Sequence, residues 1–311
     1  MKKLIYFLFT LFSLESSAQK IFQMSDVEFL MVKKEFGSAI TLLDKMVDKH
    51  PAKDTLYTNR GICYFELKKI QQAYYDLTKA IHFNPNMERA YLYRAKAFIS
   101  SNETNEAIND LNMAVKLARD DNSLIYALVL RGSARCEIRQ FDGSIEDSKT
   151  VLAIDSNNIE ALNNLGLVFN MLGQNEEGLA CLYKINKIDS TLLFVPINIG
   201  FVLMSTEQYS EAIGWMNKAI KIDSSQPLAY NNRGYAKFKL GKTQEALSDI
   251  NKSISLWENN NYAYRNRALV YLEMKEVDKA CADMKKSMEL GYTEQYGNEI
   301  KDLYQTNCSK R

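Results

Sequence analysis

An all-α solenoid of eight helical hairpins closed by a C-terminal helix is the fold this sequence predicts, and three observations carry it. An anchor residue recurs at 34-residue steps through Gly132, Gly166, Gly200, Gly234 and Ala268, and before them through Val27, Gly61 and Ala95. Within each step apolar residues follow helical spacing, as in Leu247, Ile250 and Ile254. The chain has only 4 prolines and 13 glycines in 311 residues, too few turn formers for an all-β fold. Its 46% hydrophobic and 25% charged residues supply a core and argue against disorder. One hairpin cannot bury its apolar faces alone, whereas eight stacked hairpins share a continuous interior.

Taken in order, the first element is a leader. Residues Met1 to Ala18 join basic Lys2 and Lys3 to an apolar run from Leu4 to Leu14, followed by small residues at a cut after Ala18. These are the parts of a secretory signal peptide, and the run is far shorter than the roughly 20 apolar residues of a membrane span. The mature chain is therefore expected to begin at Gln19 and to be periplasmic or secreted, with no integral membrane segment. Removing the leader leaves 39 − 2 = 37 basic and 38 − 1 = 37 acidic residues. A neutral chain is not built to neutralise phosphates, which argues against nucleic acid as a partner.

Eight units follow at 20–53, 54–87, 88–121, 125–158, 159–192, 193–226, 227–260 and 261–294, with three residues inserted near Arg119–Asn122 and 295–311 left as a cap. When the anchor is numbered position 8, position 20 is Ala39, Ala73, Ala107, Ser144, Gly178, Ala212, Ala246 and Ala280, small in every unit. Small residues at 8 and 20 let two helices approach closely at one crossing point. Turn residues such as Asn84-Pro85, Asp189-Ser190 and Asp223-Ser224 fall at positions 31 and 32. Each unit is predicted to hold one helix over positions 1–14 and a second over 15–28.

At these residues the chain resembles the tetratricopeptide repeat (TPR) family. Unit two carries Tyr57, Gly61, Tyr64, Ala73, Ala80 and Pro85 at the family's positions 4, 8, 11, 20, 27 and 32. Val27, Gly178, Arg135 and the lack of proline at position 32 after Pro85 depart from the pattern and weaken single units, not the period. The resemblance implies a right-handed superhelix whose first helices line an inner groove that binds extended segments of other proteins.

Position 7 is Arg60, Arg94, Arg131, Arg233 and Arg267 in five units, and position 23 is Asp76, Asp110, Asp147, Asp249 and Asp283 in the same five. Where position 7 is Asp26, Leu165 or Ile199, position 23 is Leu42, Cys181 or Trp215. Residues that come and go together predict an ion pair between the two helices of each such unit, a structural role for these arginines.

Positions 2, 5, 6, 9 and 12 of the first helix share one face by 3.6-residue spacing. Position 6 holds Asn59, Asn164, Asn198, Asn232 and Asn266, and position 5 adds Asn163 and Asn231. An amide offers donors and an acceptor, so such a row can bind a peptide backbone of any sequence, or it can bridge helices within the solenoid. Phe201, Tyr235 and Tyr262 at positions 9 and 2 are candidate anchors of the same surface. No unit places Lys at 5 and Asn at 9, so the carboxylate clamp of some TPR domains is not expected.

Five cysteines, at 63, 136, 181, 281 and 308, are not spaced for a metal. The ending through Ala280-Cys281-Ala282-Asp283-Met284, Glu289-Leu290-Gly291, Tyr304 and Cys308 resembles that of exported bacterial TPR proteins. A disulfide from Cys281 to Cys308 would pin an amphipathic capping helix built on Tyr296, Ile300 and Leu303. His50 and His82, the only histidines, fall at or beside turns, and no phosphate loop, GxSxG, HExxH or EF-hand motif appears. No cofactor and no catalysis are expected. The sequence thus reads as a scaffold or adaptor that holds an extended protein segment, with a small-molecule or glycan carrier as the alternative; oligomeric state is not legible in it.

Overall fold

The structure is a computed structural model that describes residues 23–308, so the leader and its cleavage site lie outside the described residues. Eighteen α-helices and no strand occur among them. The chain divides into two compact units, Met1–Gly143 and Ser144–Arg311. The first contains α1 (Met24–Val32), α2 (Phe36–Lys49), α3 (Asp54–Glu66), α4 (Ile70–Phe83), α5 (Glu88–Ser100), α6 (Thr104–Leu117) and α7 (Asp121–Glu137). Helix α8 (Phe141–Ile154) crosses the boundary. The second contains α9 (Ile159–Met171), α10 (Asn175–Ile188), α11 (Phe194–Ser205), α12 (Tyr209–Ile222), α13 (Pro227–Lys239), α14 (Thr243–Leu256), α15 (Asn261–Glu273) and α16 (Val277–Glu289), then the short α17 (Tyr292–Tyr296) and α18 (Glu299–Asn307). In both units consecutive helices pack as pairs.

The period is as predicted, but the helix limits are not. In unit two the first helix ends at position 13 and the second runs from 17 to 30, two residues later at each end than expected. The cause is a turn repeated in every unit. Position 15 is left-handed throughout: Lys34, Lys68, Asn102, Arg139 and Glu207 at φ 60 to 63°, Lys275 at 59°, and Gly173 and Gly241 at 75 and 76°. The next N–H reaches back to the carbonyl of position 11, as in Lys69 N to Tyr64 O at 2.9 Å and Lys242 N to Lys237 O at 2.9 Å. This is the Schellman closure, which satisfies carbonyls the helix end would otherwise leave bare. The insertion near Arg119–Asn122 lengthens α7 at its start, where Asp120 caps the helix by accepting from Ser123 N at 2.8 Å.

The crossing point lies where the small residues place it. A Cβ on Gly61 would stand 3.3 Å from Ala73 O and 2.7 Å from the Leu77 side chain, and one on Gly234 would stand 3.1 Å from Ala246 O. Position 20 is wholly buried at Ala39, Ala73, Ala107, Ser144, Ala212, Ala246 and Ala280. Gly178, a departure at this position, has its own reason: a Cβ there would collide with the Asn170 amide and approach Gly166 O at 3.2 Å.

Four of the predicted ion pairs form as forks across the pair of helices. Arg60 Nε and Nη2 donate to Asp76 at 2.6 and 2.8 Å, and Arg94 donates to Asp110 at 2.7 and 2.7 Å. Arg233 donates to Asp249 at 2.8 and 2.6 Å, and Arg267 to Asp283 at 2.7 and 2.8 Å. The hydrogen bonds to Asp76, against the opposing effect of burial, hold the Arg60 guanidinium above its ordinary range. The remaining Nη1 reaches the preceding repeat at position 25, where Arg60 meets Asp44 at 2.7 Å, Arg94 meets Thr78 at 3.1 Å and Arg131 meets Asn112 at 2.9 Å. Arg233 meets Asn217 and Arg267 meets Asn251 in the same way, each at 2.7 Å. One side chain thus fixes both a hairpin and its stacking on the previous one. Asp147, the acidic member of the fifth predicted pair, is buried beyond the boundary between the compact units.

Helix α18 covers the last hairpin with Ile300, which is fully buried against Ala268, Ala280 and Met284. Cys281 on α16 and Cys308 just past α18 are joined as a disulfide, their Cα atoms 5.8 Å apart. Tyr296, expected on the capping helix, instead ends the separate α17 and is 51% exposed. Glycines at 291 and 297, both with positive φ, break the chain on either side of α17 and so detach it from α18.

Candidate functional site

In the second unit the first helices α9, α11, α13 and α15 carry most of their residues at positions 2, 5, 6, 9 and 12 to a shared surface. Three adjoining pockets of about 390, 540 and 210 Å³ run along it. Phe201 lines all three, Asn198 lines the first two, and Asn232 and Tyr262 line the last two. They form one elongated trough. Eight predicted residues lie on it: Asn163, Asn198, Phe201, Asn231, Asn232, Tyr235, Tyr262 and Asn266.

Hydrogen bonds within the protein engage some amides of the row and leave others unengaged. Arg265 Nη1 donates to Asn266 Oδ1 at 2.8 Å, Asn266 Nδ2 to Asn231 Oδ1 at 2.9 Å, and Asn231 Nδ2 to Asn232 Oδ1 at 3.1 Å. Asn231 and Asn266 are buried, so their amides serve chiefly to bridge α13 and α15. The chain of donors ends at Asn232, which lines the trough and whose Nδ2 donates to no group among the described residues. Hydrogen bonds in series polarise one another, which sharpens that last donor. The side chains of Asn198 and Asn163 form no hydrogen bond among the described residues and keep their full amide capacity. Asn59 and Asn164 do not belong to this surface. Asn59 is buried in the first unit with Nδ2 3.8 Å from Met24 Sδ, and Asn164 is buried on α9. Position 6 lies at the edge of the helix–helix contact, so small differences in packing decide which amides reach solvent.

The widest pocket holds seven apolar or aromatic residues. Ile197, Phe201, Leu228 and Tyr262 come from the first helices, Trp257 from the turn after α14, and Leu290 and Tyr296 from the C-terminal segment. Tyr262, Tyr292 and Tyr296 form a mutual cluster with ring centroids 4.7 to 5.3 Å apart. Burial pushes the phenols of Tyr262 and Tyr292 up against the pull of Arg265, so both remain neutral. Arg265 itself lies 5.4 Å from the Tyr235 ring and donates through Nη2 to Glu299 of α18 at 2.5 Å. It therefore ties the cap to the trough as a paired, neutralised charge.

Trp257, Leu290 and Tyr296 are trough residues outside the face that the repeat pattern selects, whereas Arg265 lies on it at position 5 without being singled out for binding. Trp257 has a visible signal, since position 31 is His50, Asn84, Asp155, Asp189 or Asp223 in five other repeats and the small Ala118 and Gly291 in the remaining two, and a large aromatic there serves no turn. Leu290 and Tyr296 lie beyond the helical part of the period, and their placement depends on how α17 folds back. Among the described residues no cluster of His, Cys, Asp and Glu could hold a metal, and no helix is long and apolar enough to cross a membrane. His50 and His82 are exposed residues of the first unit. Cys63, Cys136 and Cys181 are buried thiols, and burial pushes the Cys63 thiol up to about 12.

Family models described as tetratricopeptide repeat match residues 55–87 and 228–260, and one described as TPR repeat matches 200–241. Among curated proteins, the chain is 33% identical over 106 residues to RNA polymerase II-associated protein 3 of Xenopus laevis, covering 34% of this chain and 16% of that protein. It is 30% identical over 93 residues to Hsp70/Hsp90 co-chaperone CNS1 of Saccharomyces cerevisiae, covering 30% and 23%. The matched stretches thus span about a sixth to a quarter of those relatives. Among solved structures, yeast Tom70 is similar with a TM-score of 0.55 at 18% identity, covering 88% of this chain and 58% of that one. YrrB, described as a TPR protein with an unusual peptide-binding site, gives a TM-score of 0.51 at 16% identity, covering 60% and 95%. At these identities the structural likeness is one of fold. With its 34-residue period, its paired helices and these matches, the chain is a tetratricopeptide repeat protein.

Proposed function

We propose that this protein is a non-enzymatic interaction module that holds an extended segment of another protein along the trough of its second unit. The continuity of the three pockets through Phe201 supports this reading most directly. A compact ligand needs one enclosed pocket with converging polar groups, whereas connected pockets alternating with free amides suit a chain that offers a side chain and a backbone carbonyl in turn. The co-chaperone named among the relatives, and the peptide-binding site ascribed to YrrB, are consistent with the same use of the fold. A glycan or small molecule seated in the aromatic pocket is the second reading, favoured by the roughly 540 Å³ of that pocket alone.

Site-specific photocrosslinking tests the proposal. A photoreactive residue at Asn198 or Phe201 should capture a discrete protein from cell extract, and one at exposed Lys218 should not. Thermal stabilisation by a glycan, with no protein captured at either trough position, would replace the first reading by the second. The leader expected at Met1–Ala18 would carry this activity outside the cytoplasm, and N-terminal sequencing of the mature protein should then begin at Gln19.

A further inference from the structure

We infer that the segment held in the trough is uncharged and is anchored by one bulky apolar side chain seated against Trp257 and Tyr262. The inference rests on the proposed function and specifies its ligand. The trough is almost free of charge. Of the 20 residues at positions 2, 5, 6, 9 and 12 in the four repeats of 159–294, only Glu160 and Arg265 are charged. Arg265 is already neutralised by Glu299 at 2.5 Å. The roughly 540 Å³ pocket has no Asp, Glu, Lys or Arg in its lining; it is built of asparagines and of large apolar and aromatic side chains.

A charged side chain entering such a place would leave water without gaining a counter-charge, which is strongly unfavourable. An aromatic or long aliphatic side chain would instead cover Phe201, Leu228 and Trp257, which are 58%, 40% and 46% exposed. Exposed apolar groups gathered in one concave place supply the driving force for such an anchor. Beside it, Asn232 Nδ2 and the free Asn198 amide are a donor and a donor–acceptor pair spaced along the trough for the backbone of the segment. Neutral flanks follow from the same charge balance, since the pockets on either side offer only Asn, Leu, Met, Phe, Ser and Tyr besides the paired Arg265 and buried Val202.

The test is selection of a phage-displayed library of random 12-residue peptides on the full mature protein. Enriched peptides should share one Phe, Tyr, Trp, Leu or Met, with Asp, Glu, Lys and Arg depleted several-fold beside it. A selected peptide, fluorescently labelled, should lose at least tenfold in affinity when its anchor is changed to Asp or Lys, and likewise with the Trp257→Ala or Tyr262→Ala protein. Its affinity should stay within about twofold between 50 and 500 mM salt. A charged consensus, or binding lost at high salt, would overturn the inference while leaving segment binding intact if Phe201→Ala still abolished it. No enrichment at all would overturn both. Enrichment indifferent to Phe201, Trp257 and Tyr262 would overturn the placement.

Discussion

Arg233 commits all three guanidinium nitrogens to structure: two to Asp249 in its own hairpin and one to Asn217 in the hairpin before. Half of this is legible in the sequence, because Arg at 7 and Asp at 23 rise and fall together along the chain. The other half is not, because Asp44, Thr78, Asn112, Asn217 and Asn251 share an acceptor oxygen and not an identity. Removing one member of a mostly buried pair strands the other, so Arg267→Ala, which leaves Asp283 without its ion-pair partner, should cost about 3 kcal/mol. Chemical denaturation checks this, and Arg267→Met with Asp283→Leu should recover a good part of the loss. The left-handed turn residues are also hidden, since six of the eight are not glycine. Left-handed backbone favours glycine, so Gly241→Ala should destabilise by about 1 kcal/mol and Lys68→Gly should raise the melting temperature slightly. Thiol labelling of the native protein at pH 8 should spare Cys63, whose burial opposes the thiolate.

At the scale of elements, helix existence is readable and helix limits are not. Positions 8 and 20 fix where two helices touch, but the Schellman closure is a backbone device that shifts each second helix without any residue signature. The cap shows the same division. Ile300 is buried as its apolar spacing suggests, whereas Tyr296 is diverted to the trough because glycines at 291 and 297 let α17 turn separately. The disulfide closes a loop of sequence separation 27, which on the loop-entropy estimate is worth about 3 to 4 kcal/mol. Cys308→Ser should therefore lower stability by that order, and dithiothreitol should do the same to the wild-type chain and nothing further to the variant.

For the molecule as a whole, the period discloses the helical-repeat fold and the outline of the candidate site. Eight of the ten residues expected to bind reach one trough, because a helix face is a property of spacing. Which amides stay free is decided by contacts between repeats that no single repeat displays, as the chain from Arg265 to Asn232 illustrates. Near-balance of charge over the whole chain conceals a second fact, that the second unit keeps its charges, Glu160 and the paired Arg265 excepted, on faces other than the trough.

The C-terminal segment is held in place by two fastenings of unlike chemistry, the Cys281–Cys308 bond and the Arg265–Glu299 contact. Because Leu290 and Tyr296 ride on that segment, the aromatic seat owes one side of its shape to a sulfur–sulfur link it never touches. An assay buffer containing reductant would slacken that side and report a weaker complex, though every residue facing the ligand is unchanged.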